Sequence, residues 1–255
     1  MNLSFRRYGA GEPLIILHGL FGSLNNWESL ARRWGQEFAV FAVDQRNHGR
    51  SPHHPVHTYD ALAGDVREFM DGQRLPEAHL LGHSMGGKTA MELALGSPDR
   101  VRSLIVVDIA PAAYPSSHDP LVEALSALPL PSLRSRQEAD AALRTAVPDL
   151  RTRQFLLTNL RRTDRGTLEW KMNLTAIRHN LPAVNAALAG NRTYEGPVLV
   201  IRGGNSSYVR PEHEPALHTL FPAVRFVTIP GAGHWVHADA PDAIYEAVRS
   251  FLHRL

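Results

Sequence analysis

A doubly wound α/β fold is predicted by two observations: short apolar runs bounded by turn residues, and amphipathic segments that separate them. The runs are PLIILH (13–18), FAVFAVD (38–44), AHLLGH (78–83), VRSLIVVDIA (101–110), PVLVIRG (197–203) and VRFVTIP (224–230). Their length and continuous apolarity fit strands covered on both faces of a parallel sheet. LSFRRYG at 3–9 adds an antiparallel edge strand. Between the runs, Tyr59, Leu62, Ala63, Val66, Phe69 and Met70 recur at helical spacing, as do Ile244, Ala247, Val248, Phe251, Leu252 and Leu255. The alternation stops between Pro111 and Gly196, where helical patterns cover 134–147, 149–161 and 167–179 with no strand-like run. Prolines at 111, 115, 120, 129, 131, 148 and 182 break this segment into short helices. The expected organisation is a core built from residues 1–110 and 196–255, with a helical cap, or lid, inserted at 111–195.

Composition narrows the function. The chain has 255 residues, long enough for one sizeable core, and 27 basic against 25 acidic residues leave a net charge of only +2. That balance argues against nucleic acid or a stable membrane association as partner. Only Lys88 and Lys171 among the basic residues are lysines, so the arginine load reflects a general bias rather than a binding signal. With no cysteine, disulfides, thiolate metal sites and a cysteine nucleophile are excluded. The opening MNLSFRRYGAGEP lacks the apolar centre of a signal peptide, and no run of 18 apolar residues occurs, so a cytoplasmic protein is expected.

LLGHSMGGK (80–88) places Ser84 between Gly82 and Gly86, directly after a strand and opening a helix. A nucleophile elbow needs that context, because near side-chain-free positions two before and two after the serine let strand and helix approach. An acyl-transfer intermediate also needs two backbone donors aimed at its oxygen. Met85 supplies one; the second comes from LHGLFGS (17–23), through Leu20 or Phe21, which the sequence does not separate. GAGHWVHAD (231–239) carries His234 in a glycine-flanked loop after the last strand, suited to a general base. His237 reads as a supporting or capping residue.

At these residues the chain resembles the α/β-hydrolase superfamily, and within it small bacterial esterases and related animal abhydrolase-domain proteins. The resemblance runs in order through LHGLFGSLNNW, DQRNHGRSP, GHSMGGKTAM, VVDIAP, FLLTNL, GGNSSYV and GAGHWVHAD. It implies a mostly parallel sheet of about eight strands, a cap after the sixth strand, a Ser-His-acid triad, no cofactor, and hydrolysis of carboxylic esters or thioesters. Many members carry the acid at the position that here is Ser206, behind Gly203. An amide at the acid position of a serine protease costs about 10⁴ in rate, so neither Asn205 nor Ser206 can serve. Asp108, ending the strand next to the one that bears Ser84, is the expected acid, and the resembling subgroup shares its VDIAP motif. Glu212 and Asp239 are the alternatives.

Other signals carry less. His53, His54 and His57 in SPHHPVH sit on a proline-broken loop, expected to face solvent rather than a metal. Lys88, one turn past the elbow, fits a salt bridge anchoring the cap, and Asp44 and Arg46 brace neighbouring loops. Arg151, Arg153, Arg161, Arg162 and Arg165 could meet the phosphates of an acyl-CoA, but fit a solvated helix face better. Phe155, Leu156, Trp170 and Leu174 could turn an apolar face over Ser84, and Phe155, Trp170, Tyr208 and Trp235 are the expected pocket residues. The expected protein is a monomeric or homodimeric serine esterase or thioesterase acting on a small molecule. A carbon–carbon hydrolase or lyase, or a non-catalytic binding protein on the same scaffold, is the alternative.

Overall fold

The computed structural model describes residues 1–115, 119–188, 190 and 192–255. The chain runs β1 (Phe5–Tyr8), β2 (Pro13–Leu17), α1 (Glu28–Trp34), β3 (Ala39–Val43), α2 (Tyr59–Gly72), β4 (Ala78–His83), α3 (Met85–Gly96) and β5 (Val101–Val107). It then leaves the sheet for α4 (Asp119–Ala127), α5 (Arg136–Leu143), α6 (Leu150–Leu157), β6 (Leu160–Arg162), β7 (Leu168–Trp170) and α7 (Leu174–Asn185). It returns as β8 (Val198–Gly203), α8 (Glu214–Leu220), β9 (Val224–Ile229), α9 (Val236–Asp239) and α10 (Pro241–Leu252).

Among the described residues, seven strands form the sheet in the order β1-β3-β2-β4-β5-β8-β9, with β1 antiparallel to β3 and the other pairings parallel. All six apolar runs and the edge strand are therefore in it. The eighth strand implied by resemblance is not, because β1 alone precedes β2 and pairs with β3 directly. The insertion accordingly follows the fifth strand of this chain rather than the sixth.

Alternate residues of each strand serve opposite faces. Ile15, Leu17, Leu80, Leu104 and Val106 pack with Val66, Phe69, Met91 and Leu217 on one side. Leu14, Ile16, Leu81, Ile105 and Val107 pack with Trp27, Trp34, Ile244 and Val248 on the other. The predicted helical positions of α2 are buried, as are Ile244, Val248, Phe251 and Leu252 of α10, whereas Leu255 is exposed beyond the helix end.

The inserted segment is not wholly helical. The pattern at 149–161 ends at Leu157, and the pattern at 167–179 divides into β7 and α7. Gly166, at φ +80, closes a turn in which Gly166 N–H donates to the Thr163 carbonyl, and β6 and β7 pair as a hairpin. Asn173 then starts α7 by accepting the Ala176 N–H on its side chain. Val122, Leu125, Leu143, Leu157, Met172 and Ile177 form the segment's own core, which extends onto Leu20, Phe21 and Met85 of the sheet's edge.

Lys88 ties the segment down, without the predicted carboxylate partner. Its buried Nζ donates to the carbonyls of Ala112 at 2.8 Å and Ala186 at 2.7 Å, near the two ends of the insertion. The ring of Tyr114 lies 4.9 Å from Nζ, and burial holds the Lys88 pKa down to about 8. Among the described residues no helix is long and apolar enough to cross a membrane.

The elbow glycines meet backbone directly. A Cβ on Gly82 would stand 2.1 Å from the Gly86 carbonyl oxygen, and one on Gly86 2.4 Å from that of Leu17. Gly82→Ala is expected to cost about 1–3 kcal/mol or more, and so to lower the melting temperature by about 2–4 °C for each kcal/mol. An unchanged thermal melt would show that strand and helix can separate freely there.

Candidate active site

Strand register brings the predicted residues to one edge. His83 pairs with Val107, so the next residues, Ser84 and Asp108, leave adjacent strands at the same level. Ser84 N–H donates to the Val107 carbonyl at 3.0 Å and Asp108 N–H to the Ile201 carbonyl at 2.8 Å. Both residues turn sharply there, with φ of 51° for Ser84 and 52° for Asp108, conformations that an L side chain adopts only when its surroundings impose them. The turn lifts the Ser84 hydroxyl above the sheet and starts α3 at Met85, whose N–H belongs to the first helical turn and has no intrahelical acceptor.

His234 joins the two. Its Nε2 lies 3.0 Å from Ser84 Oγ, and its Nδ1 lies 2.8 Å from Asp108 Oδ2. Asp108 is wholly buried. Its Oδ1 accepts the Gly203 N–H at 3.0 Å and its Oδ2 accepts the Ser206 hydroxyl. The loop that lacks an acid thus contributes donors to the acid of the neighbouring strand. Nothing local to GGNSSYV indicates that Ser206 faces this carboxylate. The alternatives lie elsewhere: Glu212 pairs with Arg210, and Asp239 with Arg151 and the Gly233 N–H.

The loop after β2 separates Leu20 from Phe21. Phe21 N–H donates to His48 Nε2 at 3.2 Å, whereas the Leu20 N–H has no hydrogen-bond partner among the described residues. The Gly19 carbonyl accepts both Gly22 N–H at 2.9 Å and His18 Nδ1–H at 2.8 Å. A trans peptide sets C=O and N–H on opposite sides, so the Leu20 N–H points away from these two donors. Of the two N–H groups the sequence left open in this loop, that of Leu20 is thus the one without a hydrogen-bond partner among the described residues.

A cavity of about 270 Å³ opens beside Ser84, lined by Leu20, Phe21, Leu121, Thr152, Phe155, Leu156, Tyr208 and Trp235, and also by His18, Asn26, Trp27, His83 and His237. Tyr208 stacks on the His234 ring at 3.8 Å, and Phe155 meets Trp235 at 5.3 Å. Trp170 is not among the lining residues: from β7 its indole N–H donates to the Leu125 carbonyl, and it packs on the insertion's core. Spacing alone could not show this, because the β6–β7 hairpin breaks the helical register between α6 and Trp170. Leu174 likewise packs in that core.

His53 and His54 are exposed, but His57 is buried, 5.5 Å from the His48 ring, correcting the expectation of a wholly solvent-facing loop. No group of three or more His, Cys, Asp or Glu side chains among the described residues could hold a metal ion. Asp44 accepts the N–H groups of Leu24 and Arg50, and Arg46 forms a buried pair with Asp65, so both brace loops as expected. Arg151 pairs with Asp239 and Arg161 with Glu169, while Arg153 is buried against Asp140 rather than solvated.

Burial dominates the histidines around the cavity. It lowers His18 and His237 to about 4 and His48 to about 3, keeping all three rings neutral at pH 7. His83, whose Nε2–H donates to the His234 carbonyl at 2.9 Å, is pushed down in the same way. An unfolded histidine binds its proton near pH 6.5, so between that value and the folded pKa values the unfolded chain holds more protons. Stability is thus full above about pH 6.5 and is lost as pH falls toward 4, by up to about 1.4 kcal/mol per pH unit for each ring. The urea midpoint at pH 5 is expected to lie below that at pH 7.5; equal midpoints would mean that these rings are already charged in the folded protein.

This geometry has relatives. The family model described as alpha/beta hydrolase fold matches residues 12–241. The chain is 42% identical over 247 residues to the sn-1-specific diacylglycerol lipase ABHD11 of Mus musculus, covering 94% of this chain and 80% of that one. It is 38% identical over 242 residues to the esterase YbfF of Escherichia coli (strain K12), covering 94% and 93%. Among solved structures, a marine microorganism esterase superposes with a TM-score of 0.96 at 39% identity, over 98% of each chain. With its fold, its strand-end serine and these similarities in accord, the chain belongs to the α/β-hydrolase family.

Proposed function

We propose that this carboxylic ester hydrolase cleaves small esters, and acyl thioesters by the same chemistry, through an acyl-enzyme on Ser84. The observation that carries this is the continuous hydrogen-bonded line from Ser84 Oγ through His234 to the buried Asp108, at the wall of the cavity. In this mechanism Ser84 Oγ attacks the acyl carbonyl while His234 Nε2 takes its proton. Asp108 keeps Nδ1 protonated, so that Nε2 is the free base, and offsets the charge of the imidazolium. The negative oxygen of the tetrahedral intermediate faces the N–H groups of Met85 and Leu20. His234 then returns the proton to the leaving alcohol or thiol, and a water activated by the same ring releases the acid.

Residues 111–195 serve in this scheme as a cap, since Leu121, Thr152, Phe155 and Leu156 wall the cavity from that segment. A space of about 270 Å³ suits a small acyl ester rather than two long chains together. A small substrate, free in the cytoplasm, is consistent with both.

Ser84→Ala is expected to fold normally, to lose about 10⁶-fold in kcat on p-nitrophenyl butyrate, and to escape labelling by a fluorophosphonate. A folded Ser84→Ala protein with wild-type turnover would remove the serine from the mechanism. Asp108→Asn should lose about 10⁴-fold, and a loss under about tenfold would pass the acid's role elsewhere. A panel of p-nitrophenyl esters of rising chain length beside acyl-CoAs measures the preferred acyl and leaving groups.

A further inference from the structure

The motif FLLTNL (155–160) carries a buried asparagine, Asn159, that the mechanism above does not use. Asn159 lies in the turn between α6 and β6 and is 2% exposed. Its backbone is held on both sides: its N–H donates to the Leu156 carbonyl at 3.1 Å, and its carbonyl accepts the Lys171 N–H at 2.8 Å across the hairpin. From this fixed point Nδ2 donates to the Leu156 carbonyl at 3.2 Å and, outside the insertion, to the Phe21 carbonyl at 2.7 Å. A side chain of the inserted segment therefore grips the backbone of the loop after β2.

That grip reaches Leu20 through two peptide planes. Asn159 draws the Phe21 carbonyl toward the insertion, so the Gly22 N–H of the same trans peptide faces the opposite way. There it donates to the Gly19 carbonyl at 2.9 Å. Held on that side, the Gly19–Leu20 peptide directs its own N–H away, and Leu20 lines the cavity beside Ser84. The loop needs such restraint because Phe21 sits at φ 61°, a conformation that a bulky side chain leaves when released. His48 holds the Phe21 N–H from the core side, and Asn159 holds its carbonyl from the insertion side.

We propose that Asn159 is a positioning residue for the oxyanion site, through which the insertion sets the aim of the Leu20 donor. This rests on the reading of Ser84 as the nucleophile of an acyl transfer. The insertion then does more than wall the cavity: one of the two transition-state donors is aimed correctly only while α6 and the hairpin are seated.

The test pairs Asn159→Ala with Asn159→Asp, which keeps the size but turns an acceptor toward the Phe21 carbonyl. Loss of a whole oxyanion donor costs about 10²–10³ in kcat, and a misdirected one is expected to cost about 10–100-fold. KM should stay within about threefold, because the ground-state carbonyl makes little use of the donor. Affinity for a trifluoromethyl ketone, which forms an oxyanion on the serine, should fall by the same factor as kcat, while affinity for the matching methyl ketone holds. Wild-type kcat in either folded variant, or equal weakening of both ketones, would reduce Asn159 to ordinary packing. Should the Ala variant not fold, the ketone ratio of the Asp variant decides. Ser84→Ala, run beside them, separates the two ideas: retained turnover there removes the nucleophile itself, whereas a dead Ser84→Ala with unchanged Asn159 variants removes only the positioning.

Discussion

A carboxylate without exposed surface at the end of β5 has to be surrounded by donors, and that requirement organises the carboxyl edge of the sheet. An uncompensated buried charge would cost several kcal/mol. Asp108 avoids that cost with the Gly203 N–H, the Ser206 hydroxyl and His234 Nδ1. Each donor comes from a different distance along the chain, so satisfying one side chain draws the ends of β5 and β8 and the loop after β9 together. His234 has its tautomer set by the same contact, which leaves Nε2 toward Ser84. Replacing the acid of the β8 loop by Ser206 is thus coherent with moving the charge to β5: a hydroxyl there supports the carboxylate, where a second acid would repel it.

Three residues near the cavity, Phe21, Ser84 and Asp108, hold positive φ without being glycine. Each is locked by hydrogen bonds to neighbouring strands or loops, and each turn redirects a group toward one point above the sheet. The cores on either face supply the rigidity that such conformations need. Gly82 and Gly86 permit the arrangement by letting α3 start close against β2 and β4.

The insertion is bound to this edge by polar contacts rather than by charge pairs alone. Lys88 holds carbonyls at both of its ends, Arg151 pairs with Asp239, and Asp239 in turn accepts the N–H of Gly233 beside His234. Apolar contact adds to them, since Leu20, Phe21 and Met85 belong to the same core as α4, α5, α6 and α7. Walls of the cavity and backbone of the site are therefore parts of one packing unit.

The seven strands, the elbow at Ser84 and the histidine at 234 were legible in the amino-acid sequence, because periodicity, glycine placement and chain order are local signals. Asp108 was legible too, from its place at the end of an apolar run beside the serine strand. What the chain order could not convey was which groups meet. The partners of Asp108 stand 95, 98 and 126 residues away, and the group that takes up the Phe21 N–H, His48, is 27 residues on from it. Trp170 packs on the insertion's core and the hairpin interrupts the helical pattern; helical spacing cannot reveal a turn at Gly166 that reverses the chain. Local sequence thus determined which elements form and which chemistry-bearing residues end them. Tertiary structure alone decided the hydrogen-bond partners, since a donor's aim is set by residues that only folding brings near.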